Sequence, residues 1–124
     1  MNLPENLQYT KDHEWIELKD GIATIGITDF AQGELGDIIF IEFPDIDLQV
    51  KAGDSIGTIE AVKTVADIFT PLDGTVIEVN SELEDNPELT NTDPYGSGWM
   101  IKLKNVSEGD VELLTAAAYK EIIS

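Results

Sequence analysis

One lysine in this sequence stands where acyl chemistry could be anchored. Lys63 lies in the run Gly53–Pro71, GDSIGTIEAVKTVADIFTP, with apolar alternation on both sides and turn formers at both ends. That spacing predicts a β-hairpin with Lys63 near its tip, on a base held in register by the ladder below. The amine of a lysine acylates to a neutral amide, and its long aliphatic stem extends the reach of whatever it carries. Position alone leaves two readings open: an attachment point for a carried acyl cofactor, or a surface lysine that discourages edge pairing. The A-M-K-M of a biotin carrier is absent from the sequence.

Other chemistry finds little equipment. The only histidine, His13, sits in Asp12-His13-Glu14. Three consecutive side chains entering a strand alternate between faces, which argues against their converging on one metal ion. His13 is expected to be partly exposed, leading into the strand of Trp15. No pair of carboxylates stands out against apolar surface that would raise one pKa. The G-x-S-x-G elbow, the G-x-G-x-x-G loop and the P-loop are missing, and the lack of cysteine removes thiolate nucleophiles, disulfides and Cys-based metal sites. The chain is expected to be non-catalytic.

Composition narrows the partners. The 124 residues, expected to form one domain over 1–124, carry 7 cations, all lysine, against 25 acids, a formal net charge of -18. Such a balance repels nucleic-acid phosphates and anionic lipid, so neither nucleic acid nor membrane is an expected partner. Apolar content of 42% is enough to order a globular core. The N-terminal MNLPENLQYTKDHEW has no apolar h-region, and no run approaches membrane-spanning length, so a cytoplasmic location is expected.

The elements that must position Lys63 are mostly strands. Period-two runs at Glu14–Leu18, Ile22–Gly26, Ile38–Phe43, Ser55–Val62, Ala66–Thr70, Gly74–Val79 and Trp99–Lys104 predict a mostly β sandwich or barrel. In the last run Trp99, Ile101 and Leu103 are expected to be buried together, opposite Met100, Lys102 and Lys104. Thr28–Gly36 reads as a helical turn capped by Thr28 or Asp29 and closed by glycine. Asn80–Gly98 reads as a long ordered connection with a short helix near Glu82. Ser107 and Asp110 resemble a capping box, and Val111, Leu114, Ala118 and Ile122 follow at helical spacing, predicting a C-terminal helix.

Glu60-Ala61-Val62-Lys63, followed by Asp67, Pro71 and Gly74, resembles the lipoylation segment of the glycine cleavage system H-protein family, commonly E-S-V-K with S-P-x-x-G beyond. The block Asp85–Trp99, DNPELTNTDPYGSGW, resembles that family's D-N-P-E-L-x-N-x-D-P-Y-G-x-G-W, which biotin carriers and 2-oxoacid dehydrogenase lipoyl domains do not use. Tyr9–Trp15 and Gly26–Gln32 with Leu35-Gly36-Asp37 resemble its opening, so the likeness covers essentially the whole chain. Departures are Ala61 for serine, Asp67 for glutamate, and Asp47 for the glycine of L-P-x-x-G.

The resemblance implies a barrel-sandwich hybrid of two antiparallel sheets, a single lipoyl-carrier domain with short helices and a C-terminal helix. It implies lipoic acid in amide linkage to Lys63, with Glu60, Asp67 and Gly74 read by a lipoate ligase or lipoyl synthesis enzymes. It further implies a shuttle carrying an aminomethyl group from the pyridoxal-phosphate-dependent glycine decarboxylase to the tetrahydrofolate-dependent aminomethyltransferase, with reoxidation by dihydrolipoamide dehydrogenase. Two alternatives stay open at this point: a lipoyl relay or specialised H-like carrier serving other lipoyl-dependent complexes, and a non-carrier interaction module on the same fold.

Overall fold

Period-two patterning is realised as two antiparallel sheets packed face to face. The computed structural model describes residues 3–109 and 111–123. Its strands are β1 (Gln8–Tyr9), β2 (Glu14–Lys19), β3 (Ile22–Ile27), β4 (Ile38–Glu42), β5 (Gln49–Val50), β6 (Ser55–Ala61), β7 (Val65–Phe69), β8 (Leu72–Val79) and β9 (Ile101–Glu108). Helices α1 (Asp29–Leu35), α2 (Glu82–Asp85), α3 (Leu89–Thr92) and α4 (Ala116–Ile123) join or follow them. One sheet has six strands in the order β1-β2-β3-β9-β8-β5 and the other three, β4-β6-β7. The two sheets do not close into a continuous barrel, and the architecture is the expected barrel-sandwich hybrid.

Alternate residues from both sheets fill the space between them. Ile16, Ala23, Ile25, Val76, Ile101 and Leu103 meet Ile41, Ile56, Ile59, Ala61 and Ile68 in one buried cluster. Burying each large aliphatic side chain contributes about 1.5–3 kcal/mol against the ordering entropy. Trp15, on the opposite face of β2 from Ile16, joins Leu7, Tyr9 and Tyr119 in a second cluster that fastens the N-terminal segment and α4 to the large sheet. Gly26 lies opposite Trp15 in the ladder, and a Cβ there would fall 2.7 Å from the indole nitrogen, so glycine is what gives the ring its place.

Helix α1 follows its sequence signals. Thr28 Oγ1 accepts the Ala31 N–H at 3.2 Å as N-cap, and Gly36 closes the helix at φ 80. Asp47 holds φ 74, the left-handed conformation that explains a glycine at that point in the related pattern. Helix α2 falls where a short helix near Glu82 was expected.

Three expectations are corrected. The last strand begins at Ile101, not Trp99, because the turn at Pro94–Gly98 delays entry into the ladder. Ile101 and Leu103 are buried as expected, but Met100 is fully buried too, while Trp99 is only half-buried, with the Lys102 ammonium 4.8 Å above its ring. Ser107 belongs to β9, so it caps no helix; α4 starts at Ala116, where Thr115 Oγ1 accepts the Ala118 N–H at 3.1 Å. Asp110, the other member of that expected capping box, lies outside the described residues.

Candidate functional site

Strands β6 and β7 form the hairpin the spacing demanded. Its ladder pairs Thr58 with Asp67, Ile59 with Ala66 and Glu60 with Val65, leaving Val62, Lys63 and Thr64 as the tip. The Ala61 N–H donates to the Thr64 carbonyl at 2.8 Å and closes the turn. The Val62 N–H donates to the Asp37 carbonyl at 3.1 Å, tying the tip to the chain that enters β4. Lys63 itself is exposed.

The segment that braces this tip comes from the Asp85–Trp99 block. Asn91 Oδ1 accepts the Ile38 N–H at 3.0 Å, while Asn91 Nδ2 donates to the Gly36 carbonyl at 2.8 Å and to Gln32 Oε1 at 3.0 Å. One side chain thus clamps both neighbours of Asp37, whose carbonyl holds Val62. Farther along the block, the Pro94 carbonyl accepts the Trp15 indole N–H at 3.0 Å, and Asp93 Oδ2 accepts the Ser97 N–H at 2.9 Å. Asn91 and Asp93 thus position backbone around the tip and the following turn.

Beside the hairpin lies a cleft of about 400 Å³ between β2, α1 and β7. Ile27, Phe30, Ala31, Leu35, Ile59 and Ala66 give it apolar walls, and Asp12, His13, Glu14, Glu34 and Asp67 supply polar atoms. Asp12, His13 and Glu14 all line this cleft, although Glu14 itself is buried between the sheets and His13 is half-buried. His13 adopts φ 68, which breaks the alternation just before β2 begins at Glu14. Among the described residues there is still no group of three or more His, Asp or Glu side chains placed to hold a metal ion.

Glu14 is the residue that sequence reasoning missed. Only 2% exposed, it reaches between the sheets: Oε1 accepts from Thr10 Oγ1 at 2.9 Å and Oε2 accepts the N–H of Phe69 on β7 at 3.1 Å. Burial pushes its pKa up to about 8, against the pull of those two hydrogen bonds, and Asp12 adds repulsion. A signal was available, since two-residue alternation puts Glu14 on the core face with Ile16. His13 has its Nδ1 2.8 Å from the Tyr119 hydroxyl, which lies 2.7 Å from Thr28 Oγ1, so α4 touches the cleft's edge. Burial lowers the His13 pKa, and the carboxylates of Asp12 and Glu34 oppose that shift.

A raised carboxyl pKa has a defined sign in stability. Between its ordinary value of 4.5 and about 8, Glu14 binds a proton in the folded state that the unfolded chain has lost, so its contribution to stability falls as pH rises through that window. Glu14→Gln removes this slope. In urea melts from pH 5.5 to 8.5, we expect the wild-type midpoint to gain least over the variant at the alkaline end; a pH-independent difference would contradict a proton held at Glu14.

The remaining expected site residues divide between the sheets. Glu60 and Asp67 share the outer face of the hairpin that carries Lys63. Gly74 lies apart on β8 in the large sheet, where a Cβ would come 3.0 Å from the Lys104 carbonyl oxygen and press on β9, so packing favours glycine there.

Comparison with known proteins agrees with this geometry. The family model for glycine cleavage H-protein matches residues 7–124. A glycine cleavage system H protein of Bacteroides thetaiotaomicron is 51% identical over 125 residues, covering 100% of this chain and 99% of that one. One from Listeria monocytogenes is 52% identical over 124 residues, with 99% of each covered. The crystal structure of a glycine cleavage system H protein from Mycobacterium marinum superposes with a TM-score of 0.89 at 40% identity, over 95% of this chain and 96% of that one. By sequence along its length and by the arrangement of its two sheets, the chain belongs to the glycine cleavage H-protein family.

Proposed function

We propose that the chain is the lipoyl-bearing shuttle of the glycine cleavage system, with lipoic acid joined to Lys63 in amide linkage. The observation that carries this reading is an exposed lysine at the tip of a hairpin whose backbone is braced from β4 and α3, within Glu60-Ala61-Val62-Lys63. When bound, the lipoyl group supplies a disulfide that accepts a one-carbon amine fragment and is regenerated by oxidation of the dithiol.

The residues present fit such a group. Lys63 offers the amine, and the stiff hairpin restricts where the arm is rooted while leaving it free to sweep. Ala66 and Asp67, just past the tip, line the neighbouring cleft, whose apolar walls suit an aliphatic arm and whose Asp12 and Glu34 carboxylates suit a cationic amine. The sequence has no cysteine, so no thiol of this chain can exchange with the disulfide.

This chain supplies no catalytic group of its own; the chemistry belongs to glycine decarboxylase, aminomethyltransferase and dihydrolipoamide dehydrogenase and their cofactors. Tethering keeps the reactive end at high local concentration near a docked enzyme, so weak, short encounters suffice. A net charge of -18 steers those encounters toward basic docking surfaces, with on-rates that fall as salt rises. The test is glycine–bicarbonate exchange reconstituted with glycine decarboxylase. The lipoylated chain should support exchange; a fully lipoylated chain that fails to do so would mark a relay to other complexes instead.

A further inference from the structure

Helix α4 reaches the cleft through one hydroxyl. Tyr119 is fully buried, its ring stacked on Tyr9 at 4.9 Å, and its oxygen stands between His13 Nδ1 at 2.8 Å and Thr28 Oγ1 at 2.7 Å. Counting hydrogens gives this hydrogen-bond chain a direction. Thr28 is buried, and its Oγ1 already accepts the Ala31 N–H that caps α1. Among the described residues the Tyr119 oxygen is the one acceptor left for the Thr28 hydroxyl hydrogen. Thr28 therefore donates to Tyr119, Tyr119 donates to His13 Nδ1, and the imidazole carries its proton on Nε2. The opposite direction leaves a buried hydroxyl hydrogen without an acceptor, a penalty that favours the Nε2–H tautomer about tenfold or more. Protonating His13 also leaves one unpaired, because its Nδ1–H would have to donate where Tyr119 now donates.

The cleft is where this direction matters. Around His13 stand Asp12 in its own turn, Glu14 on β2, Glu34 on α1 and Asp67 on β7, with the Phe30 ring 4.9 Å from the imidazole. Burial holds the imidazole to its neutral form, while Asp12 and Glu34 pull it toward the charged one. A charged His13 would pair with the carboxylates that a cationic occupant needs, and would repel that occupant directly.

We propose that Tyr119 is a positioning residue of the cleft: its hydroxyl, oriented by Thr28, fastens His13 as the uncharged Nε2–H tautomer and so reserves Asp12 and Glu34 for the amine of the loaded arm. The inference rests on the reading of the cleft as the place where that arm is seated. It adds α4 to the machinery, and it makes the seat weaker as acid protonates His13.

The sequence has a single histidine, so the imidazole signals in nitrogen–proton multiple-bond NMR spectra of the isotope-labelled full-length chain belong to His13 alone. Titrated between about pH 5 and 8, the wild type should show Nε2–H over Nδ1–H by about tenfold or more. Its midpoint should lie below the ordinary 6.5. Tyr119→Phe keeps the ring stacked on Tyr9 and removes only the hydroxyl, so the tautomer excess should fall several-fold and the midpoint should rise. Thr28→Ser keeps the hydroxyl and should titrate like the wild type. In the lipoylated wild type loaded from glycine by glycine decarboxylase, a cation seated beside His13 should lower the midpoint further. Tyr119→Phe with an unchanged tautomer and midpoint, whatever its stability, would make Tyr119 a packing residue and overturn the proposal. So would a wild type in the Nδ1–H form, a measurement that needs no variant to fold. A midpoint indifferent to loading would instead overturn the cleft as the arm's seat, and the purpose of the hydrogen-bond chain with it, while lipoyl attachment at Lys63, read by peptide mapping, would stand.

Discussion

Lys63→Ala should abolish lipoyl attachment and glycine–bicarbonate exchange while leaving the fold untouched. The turn that presents Lys63 is held by backbone groups, through Ala61 to Thr64 and Val62 to Asp37, and among the described residues the Lys63 side chain makes no hydrogen bond or ion pair. An exposed residue of this kind contributes within about 0.5 kcal/mol to stability. Thermal melts should therefore superpose on the wild type while the exchange rate falls to background. A variant that lost several kcal/mol would show the lysine to be a structural residue, and one that retained exchange would move the carrier function elsewhere.

The largest structural loss is expected at Trp15. The indole is 2% exposed, faces Gly26 across the ladder, and donates to the Pro94 carbonyl at 3.0 Å. Trp15→Ala removes that packing, opens a cavity beside Tyr9 and Tyr119, and orphans a carbonyl acceptor. A loss of about 3–5 kcal/mol follows from truncating a buried aromatic side chain, a large share of the roughly 5–15 kcal/mol that holds a domain together. The Asp85–Trp99 block loses its anchor to β2 at the same time, so the brace on the hairpin should loosen. Trp99→Ala, at a half-buried ring, should cost distinctly less in the same urea series. Equal losses would mean that the two rings share the burden of the second core cluster.

Strand periodicity made the sheets legible because core residues recur at every second position, as Ala23, Ile25 and Ile27 do in β3, even where Trp15 buries the opposite face of β2 as well. The hairpin and Lys63 could be read for the same reason. Strands β1 and β5, two residues each, are too short to display a period, and they exist through pairing with Trp15 and Gly74. Trp99 was misplaced because period two was extended backward through a turn whose geometry is set by Asp93. The cleft was illegible for a related reason: His13 is left-handed, so the chain turns just before β2 and strand alternation does not extend back to Asp12 and His13. Glu14 was the readable miss, since its phase with Ile16 already put it in the core.

The most direct measurement is mass spectrometry of the full-length chain expressed with a lipoate ligase and lipoate, intact and then peptide-mapped. A single lipoyl increment on the peptide that contains Lys63 is the expected result. An unmodified chain, or a lipoyl group on Lys51, Lys104 or any other lysine, would contradict it.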